Sequence, residues 1–195
     1  RRALSLGKRN GLAPTLSMLA ELGRQVCDGL QYAHSVTSED GHPLQLVHRD
    51  IKPSNLILNP QGVVKVLDFG ISKALLVYER EGAVRGTWGY MAPEQAEGQP
   101  VTGAADLFAL AAVLYEAASG QALFPEKDPG TIRGLLAMDE AARRAARLTG
   151  PFGVLSGVLV RALQRDPAAR YVSAEAMGRA LSLIHISEPT RPSVI

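Results

Sequence analysis

The fifteen residues from Ala104 to Ala118 constrain this chain more than any others. They are apolar nearly all round, broken only by Asp106 and Glu116. A helix with apolar residues on every face has to be enclosed on every side, so the rest of the chain must build a shell around it. The stretch is shorter than the about 20 apolar residues that cross a bilayer, so it predicts a core helix and no membrane segment. A chain of 195 residues is long enough for one domain with a substantial core. Hydrophobic residues at 46% and charged residues at 21% exclude disorder, collagen and coiled coil as whole-chain answers. The net charge of +2 is too small to point to nucleic acid, and no such partner is expected. The single cysteine, Cys27, cannot close an internal disulfide and fits a reducing compartment, so a cytoplasmic location is expected. Cys27 falls within a helical pattern, which predicts a buried structural thiol.

The remaining elements follow from periodicity. Leu16, Leu19, Val26, Leu30 and Ala33 repeat every 3.6 residues and predict a helix over Leu16 to His34. Thr37 to Pro43 is polar and turn-rich and reads as a surface loop. Leu56 to Leu58 and Val63 to Phe69 flank Asn59-Pro60-Gln61-Gly62 and predict a hairpin. Gly70 to Gly103 has no sustained period and is expected to be mostly loop. Beyond it, helices are expected over Ala105 to Ala118, Thr131 to Leu148, Phe152 to Gln164, and Ser173 to about Leu181, with Ser173 as N-cap. The fold class is therefore α+β, a small β-hairpin followed by a mostly helical body.

The chemistry-bearing residues concentrate in three blocks. The first is His48-Arg49-Asp50-Ile51-Lys52-Pro53-Ser54-Asn55. Asp68-Phe69-Gly70 begins 18 residues after Asp50, and Gly86-Thr87-Trp88-Gly89-Tyr90-Met91-Ala92-Pro93-Glu94 follows. Singly, such residues are ordinary caps and turns. Packing gives no reason for them to occur together in this order. The set resembles the H-R-D-x-x-x-x-N, D-F-G and A-P-E blocks of the eukaryotic-like (Hanks-type) Ser/Thr protein kinases. Gln95 and the turn-rich insert before Val47-His48 resemble the bacterial branch. The resemblance runs from the first residues to about residue 180.

That resemblance implies the C-terminal lobe of a protein kinase, with ATP and Mg2+ as cofactors and a Ser/Thr-bearing protein as substrate. Phosphoryl transfer asks for positioning and charge neutralisation rather than covalent work. Asp50 would accept the substrate hydroxyl's proton, and Lys52 would place a cation on the γ-phosphate. Asn55 and Asp68 would offer Mg2+ the hard oxygens it prefers. His48 would support the loop, Phe69 would set Asp68, and Gly70 would permit the turn after it. Thr87 would shape the substrate pocket. Glu94 would pair with Arg170 of Asp166-Pro167-x-x-Arg170, and Asp106 would anchor the catalytic-loop backbone. Ala111 stands where the family commonly has Gly, a packing change only. Arg49 implies a phosphate on the segment Ile71 to Met91, yet no Ser or Thr lies between Ser72 and Thr87. Glu79 or Glu81 would then supply the negative charge, unless both are solvated loop charges.

A kinase also carries a small N-terminal lobe with a G-x-G-x-x-G loop and a strand lysine, and these are absent from the 195 residues. The expectation is a kinase large lobe over 1–180 that is inactive on its own and belongs to an active parent. The string Leu181 to Arg191 resembles a translated sequencing adaptor, so 181–195 is expected to be an adaptor-derived or disordered tail. The alternatives are a pseudokinase or scaffold of the same fold, and a small-molecule phosphotransferase. Thr87 to Glu94 speaks against the latter.

Overall fold

A computed structural model describes residues 14–68 and 88–186. Helix α1 (Leu16–His34) starts where Thr15 Oγ1 accepts the Met18 N–H at 3.1 Å. Its buried face is the predicted one, Leu16, Leu19, Val26, Leu30 and Ala33, joined by Ala20, Gly23 and Cys27. Burial pushes the Cys27 thiol up to about 12, which suits an inert structural role. The loop after α1 closes through a bridge between Thr37 and Pro43.

Strands β1 (Leu56–Leu58) and β2 (Val64–Val66) form an antiparallel hairpin with Leu56 opposite Val66 and Leu58 opposite Val64. Asn59 Oδ1 closes its turn by accepting the N–H groups of Gln61 and Val63. Two strands alone are marginal in water. Gln25 of α1 fastens them, donating to the Gly62 carbonyl at 3.1 Å and accepting the Val64 N–H at 2.8 Å. The second strand is shorter than the expected run from Val63 to Phe69, and Phe69 lies outside the described residues.

After a 3-10 turn at Trp88–Tyr90 and the short α2 (Pro93–Ala96), α3 (Gly103–Ser119) forms the centre. All residues from Ala105 to Leu114 are buried, as an all-round apolar helix requires. α1, α7 (Ala174–Ile186) and α6 (Ser156–Ala162) pack about it. No helix among the described residues is long and apolar enough to cross a membrane.

Two expected helices are divided. The stretch from Thr131 to Leu148 is α4 (Pro129–Ala137) and α5 (Glu140–Ala146), separated at Asp139, whose φ is 55°. The reason is chemical. α4 buries Ile132 and Leu136, and an unbroken helix would bring Asp139, Glu140 and Arg143 onto that same stripe. The break instead buries Ala141, Ala142 and Ala145. Likewise Phe152 to Gln164 is a 3-10 segment, Gly150–Leu155, running into α6. In α7, Ser173 Oγ accepts the Ala176 N–H at 3.1 Å, as an N-cap does. The helix runs on to Ile186, past the expected end near Leu181.

Candidate active site

The site grows from one carboxylate. Asp106, fully buried near the start of α3, faces the loop of residues 47–52. Its Oδ2 accepts the His48 N–H at 2.9 Å and its Oδ1 the Arg49 N–H at 2.8 Å. A third donor, His34 Nε2 at the end of α1, reaches Oδ2 at 2.8 Å. Gly103 makes this possible, because a Cβ there would lie 2.6 Å from the His34 ring. Three donors on two oxygens satisfy a charge that would otherwise be costly in an apolar helix.

His48 joins the loop to the hairpin. Its Nδ1 accepts the Asp50 N–H at 3.2 Å, and its Nε2 donates to the Leu67 carbonyl at 2.8 Å. A carbonyl only accepts and an amide N–H only donates, so the geometry puts the ring donor at Nε2 and the acceptor at Nδ1. The Leu67 N–H donates to the Asn55 carbonyl at 2.8 Å, a second tie between hairpin and loop. Asp68 follows at φ 54°, its side chain exposed.

Asp50 is buried, and its Oδ2 meets Lys52 Nζ at 2.8 Å and Asn55 Nδ2 at 3.1 Å. Asn55 Nδ2 also donates to the Asp50 carbonyl at 2.8 Å. The amide nitrogen is thus committed to the loop, while Oδ1 has only the Ser54 hydroxyl near it among the described residues, at 3.5 Å. Asn55 Oδ1 and the Asp68 carboxylate are hard oxygens of the kind Mg2+ takes, one or two from the protein with phosphates and water completing its shell. Asp50, Lys52 and Asn55 are therefore brought together. Phe69, Gly70 and Thr87 lie outside the described residues, as do Ser72, Glu79 and Glu81.

Glu94 and Arg170 form a bidentate ion pair, Oε1 to Nη1 at 2.7 Å and Oε2 to Nη2 at 2.8 Å. Both are buried, at 3% and 1% exposure. Arg170 directs its other three N–H groups to the carbonyls of Gln164, Ala104 and Arg165. All five guanidinium donors are satisfied, the condition under which so buried a charge is tolerated.

Two residues escaped the sequence reading as site residues. His34 carries no local signal, since its partner is 72 positions away. Gln95, which in sequence marks only the bacterial branch, donates through Nε2 to the Arg49 carbonyl at 3.1 Å.

The protein kinase domain family matches residues 8–193. A protein named tyrosine-protein kinase MasK, from Myxococcus xanthus, is 47% identical over 156 residues, covering 78% of this chain and 24% of its own. Serine/threonine-protein kinase PknB of Mycobacterium tuberculosis is 32% identical over 173 residues, covering 87% and 26%. Serine/threonine-protein kinases drp72 of Corynebacterium efficiens is 34% identical over 154 residues, covering 77% and 29%. The chain spans about a quarter of the length of these relatives. With the family's blocks matched in order and its family model covering nearly the whole sequence, the chain belongs to the protein kinase domain family.

Proposed function

We propose that this chain carries the large-lobe machinery of a protein kinase that moves the γ-phosphate of Mg-ATP to Ser/Thr hydroxyls of proteins. The observation that carries the reading is the buried Asp50 carboxylate with Lys52 Nζ and Asn55 Nδ2 on one of its oxygens. Asp50 accepts the hydroxyl proton and aims the oxygen. Lys52, on Asp50 Oδ2 at 2.8 Å, would offer its charge to the phosphate oxygens. Asn55 Oδ1 and Asp68 would hold the Mg2+ that accompanies the nucleotide. Bound Mg-ATP supplies the phosphoryl group and the divalent charge that neutralises it.

The glycine-rich phosphate loop and strand lysine that the family uses to hold ATP are not among the 195 residues. The chain spans about a quarter of the length of these relatives, so the activity proposed is that of a protein carrying this domain together with the family's phosphate loop and strand lysine. A tyrosine acceptor is the second reading, favoured by the 47% identity to MasK, a protein named as a tyrosine-protein kinase. The test is phosphotransfer by the full-length polypeptide encoded at this locus, with Mg-ATP and peptides bearing Ser, Thr or Tyr. Label on Ser and Thr is expected, and Asp50→Asn should lower kcat by about 10²–10⁴-fold. Label on Tyr alone would move the assignment to the second reading. No transfer by the wild type would leave a pseudokinase scaffold.

A further inference from the structure

We propose that Gln95 is a positioning residue that locks the backbone presenting Asp50 and couples it to the segment leading into α2. Its catalytic consequence rests on the function proposed above; its structural part does not.

Arg49, the residue before Asp50, has φ 65°. A non-glycine residue in the left-handed region costs about 1–3 kcal/mol and persists only where its surroundings over-determine it. Both polar groups of Arg49's backbone are held. Asp106 Oδ1 takes its N–H at 2.8 Å, and Gln95 Nε2 donates to its carbonyl at 3.1 Å. The carbonyl of Arg49 belongs to the peptide bond whose nitrogen is that of Asp50, so the Gln95 contact sets the plane from which Asp50 springs.

The other end of the Gln95 amide is also used. Its Oε1 accepts the Ala92 N–H at 3.3 Å, the return half of a capping box at the third position of α2. A glutamate at that position would cap equally well, and an acidic group suits the first turn. What glutamine adds is the donor, and that donor goes to Arg49. The preceding residue, Glu94, is pinned by Arg170, so Gln95 projects from a fixed base. One amide therefore bridges two backbones 43 residues apart, Ala92 and Arg49.

The experiment uses the full-length polypeptide carrying Gln95→Met, which removes donor and acceptor, and Gln95→Glu, which keeps the acceptor and, near neutral pH, replaces the donor by a charged oxygen. Near neutral pH both should lower kcat about tenfold, the size expected for a half-buried carbonyl left without its partner, with peptide KM within about twofold. As pH falls, the carboxyl group introduced by Gln95→Glu takes up a proton and regains an O–H to donate to Arg49. The kcat of Gln95→Glu should then climb relative to that of Gln95→Met. A merely structural role has no reason to follow that pH profile. Amide hydrogen exchange is the second readout. Exchange at Arg49 and Asp50 should quicken in Gln95→Met while α6 amides stay unchanged. Unchanged kcat, an effect confined to KM, or a pH-independent ratio of the two variants would overturn the catalytic role. Unchanged exchange would overturn the coupling itself. If the wild type transfers no phosphate, the functional reading fails and the exchange result still decides the coupling. If Gln95→Met does not fold, Gln95→Glu, which keeps the Ala92 cap, carries the exchange comparison.

Discussion

Asp106 shows how much one side chain can organise. Its carboxylate takes donors from α1, through His34, and from the backbone of His48 and Arg49. Each oxygen faces at least one N–H, so no rotation of an asparagine amide fits. Either the new NH2 meets the Arg49 N–H, or it meets both the His48 N–H and the His34 ring N–H. Asp106→Asn should therefore destabilise by about 1–3 kcal/mol, the cost of leaving buried donors unmet. It should also quicken hydrogen exchange at His48 and Arg49. Denaturant unfolding and exchange of the purified variant check this, and unaltered stability would mean that the loop holds without the carboxylate. Part of this was legible in the sequence. A carboxylate in so apolar a helix demands partners, and the motif points to the catalytic loop. His34 was not legible, because its contact depends on where α1 ends against α3 and on the missing Cβ of Gly103.

At the scale of elements, the break between α4 and α5 aligns a clamp. Arg144 of α5 donates to the Leu123 carbonyl at 2.7 Å, pairs with Glu126 at 2.8 Å and with Glu140 at 3.2 Å, and covers the Phe124 ring. The clamp ties the loop after α3 to the helical body. The Arg144 hydrogen bond holds the Glu126 carboxyl below its ordinary value of 4.5. A carboxyl depressed in the folded state stabilises fully above its unfolded pKa, and that contribution is lost as pH falls through the folded value. Thermal melts from pH 7 down to pH 3 should accordingly show a shallower acid decline for Glu126→Gln than for the wild type, with the gap closing as pH falls below the ordinary value of 4.5. Parallel declines would mean that Arg144 is held by Glu140 and Leu123 alone. Ala and Arg favour helix throughout 131–148, so propensity alone joins α4 to α5. Only the placement of Asp139, Glu140 and Arg143 relative to Ile132 and Leu136 reveals the break. The short 3-10 turn into α6 is hidden in the same way, inside a run with helical spacing.

At the scale of the molecule, three helices close on one another at Gly23. A Cβ there would lie 2.8 Å from a Leu181 methyl of α7 and 3.0 Å from a Leu114 methyl of α3. So close a crossing makes α7 a wall of the core. Met177, Leu181 and Ile184 are its buried stripe at spacings of four and three, the period of a helix facing its neighbours. The string from Leu181 reads, by its letters, as an appended tail, and by its period as the last turns of α7. Composition cannot separate the two, because an apolar run of either origin extends a helix wherever the docking face continues. Substitution separates them. In the full chain, Leu181→Ala should cost about 2–5 kcal/mol, the penalty for a cavity in a packed core. Leu183→Ala, at a position 65% exposed on the opposite face, should fall within about 0.5 kcal/mol of the wild type. Matched denaturant curves give both values. A large difference between them makes residues 181–186 part of the folded unit, whereas two silent substitutions return its end to residue 180.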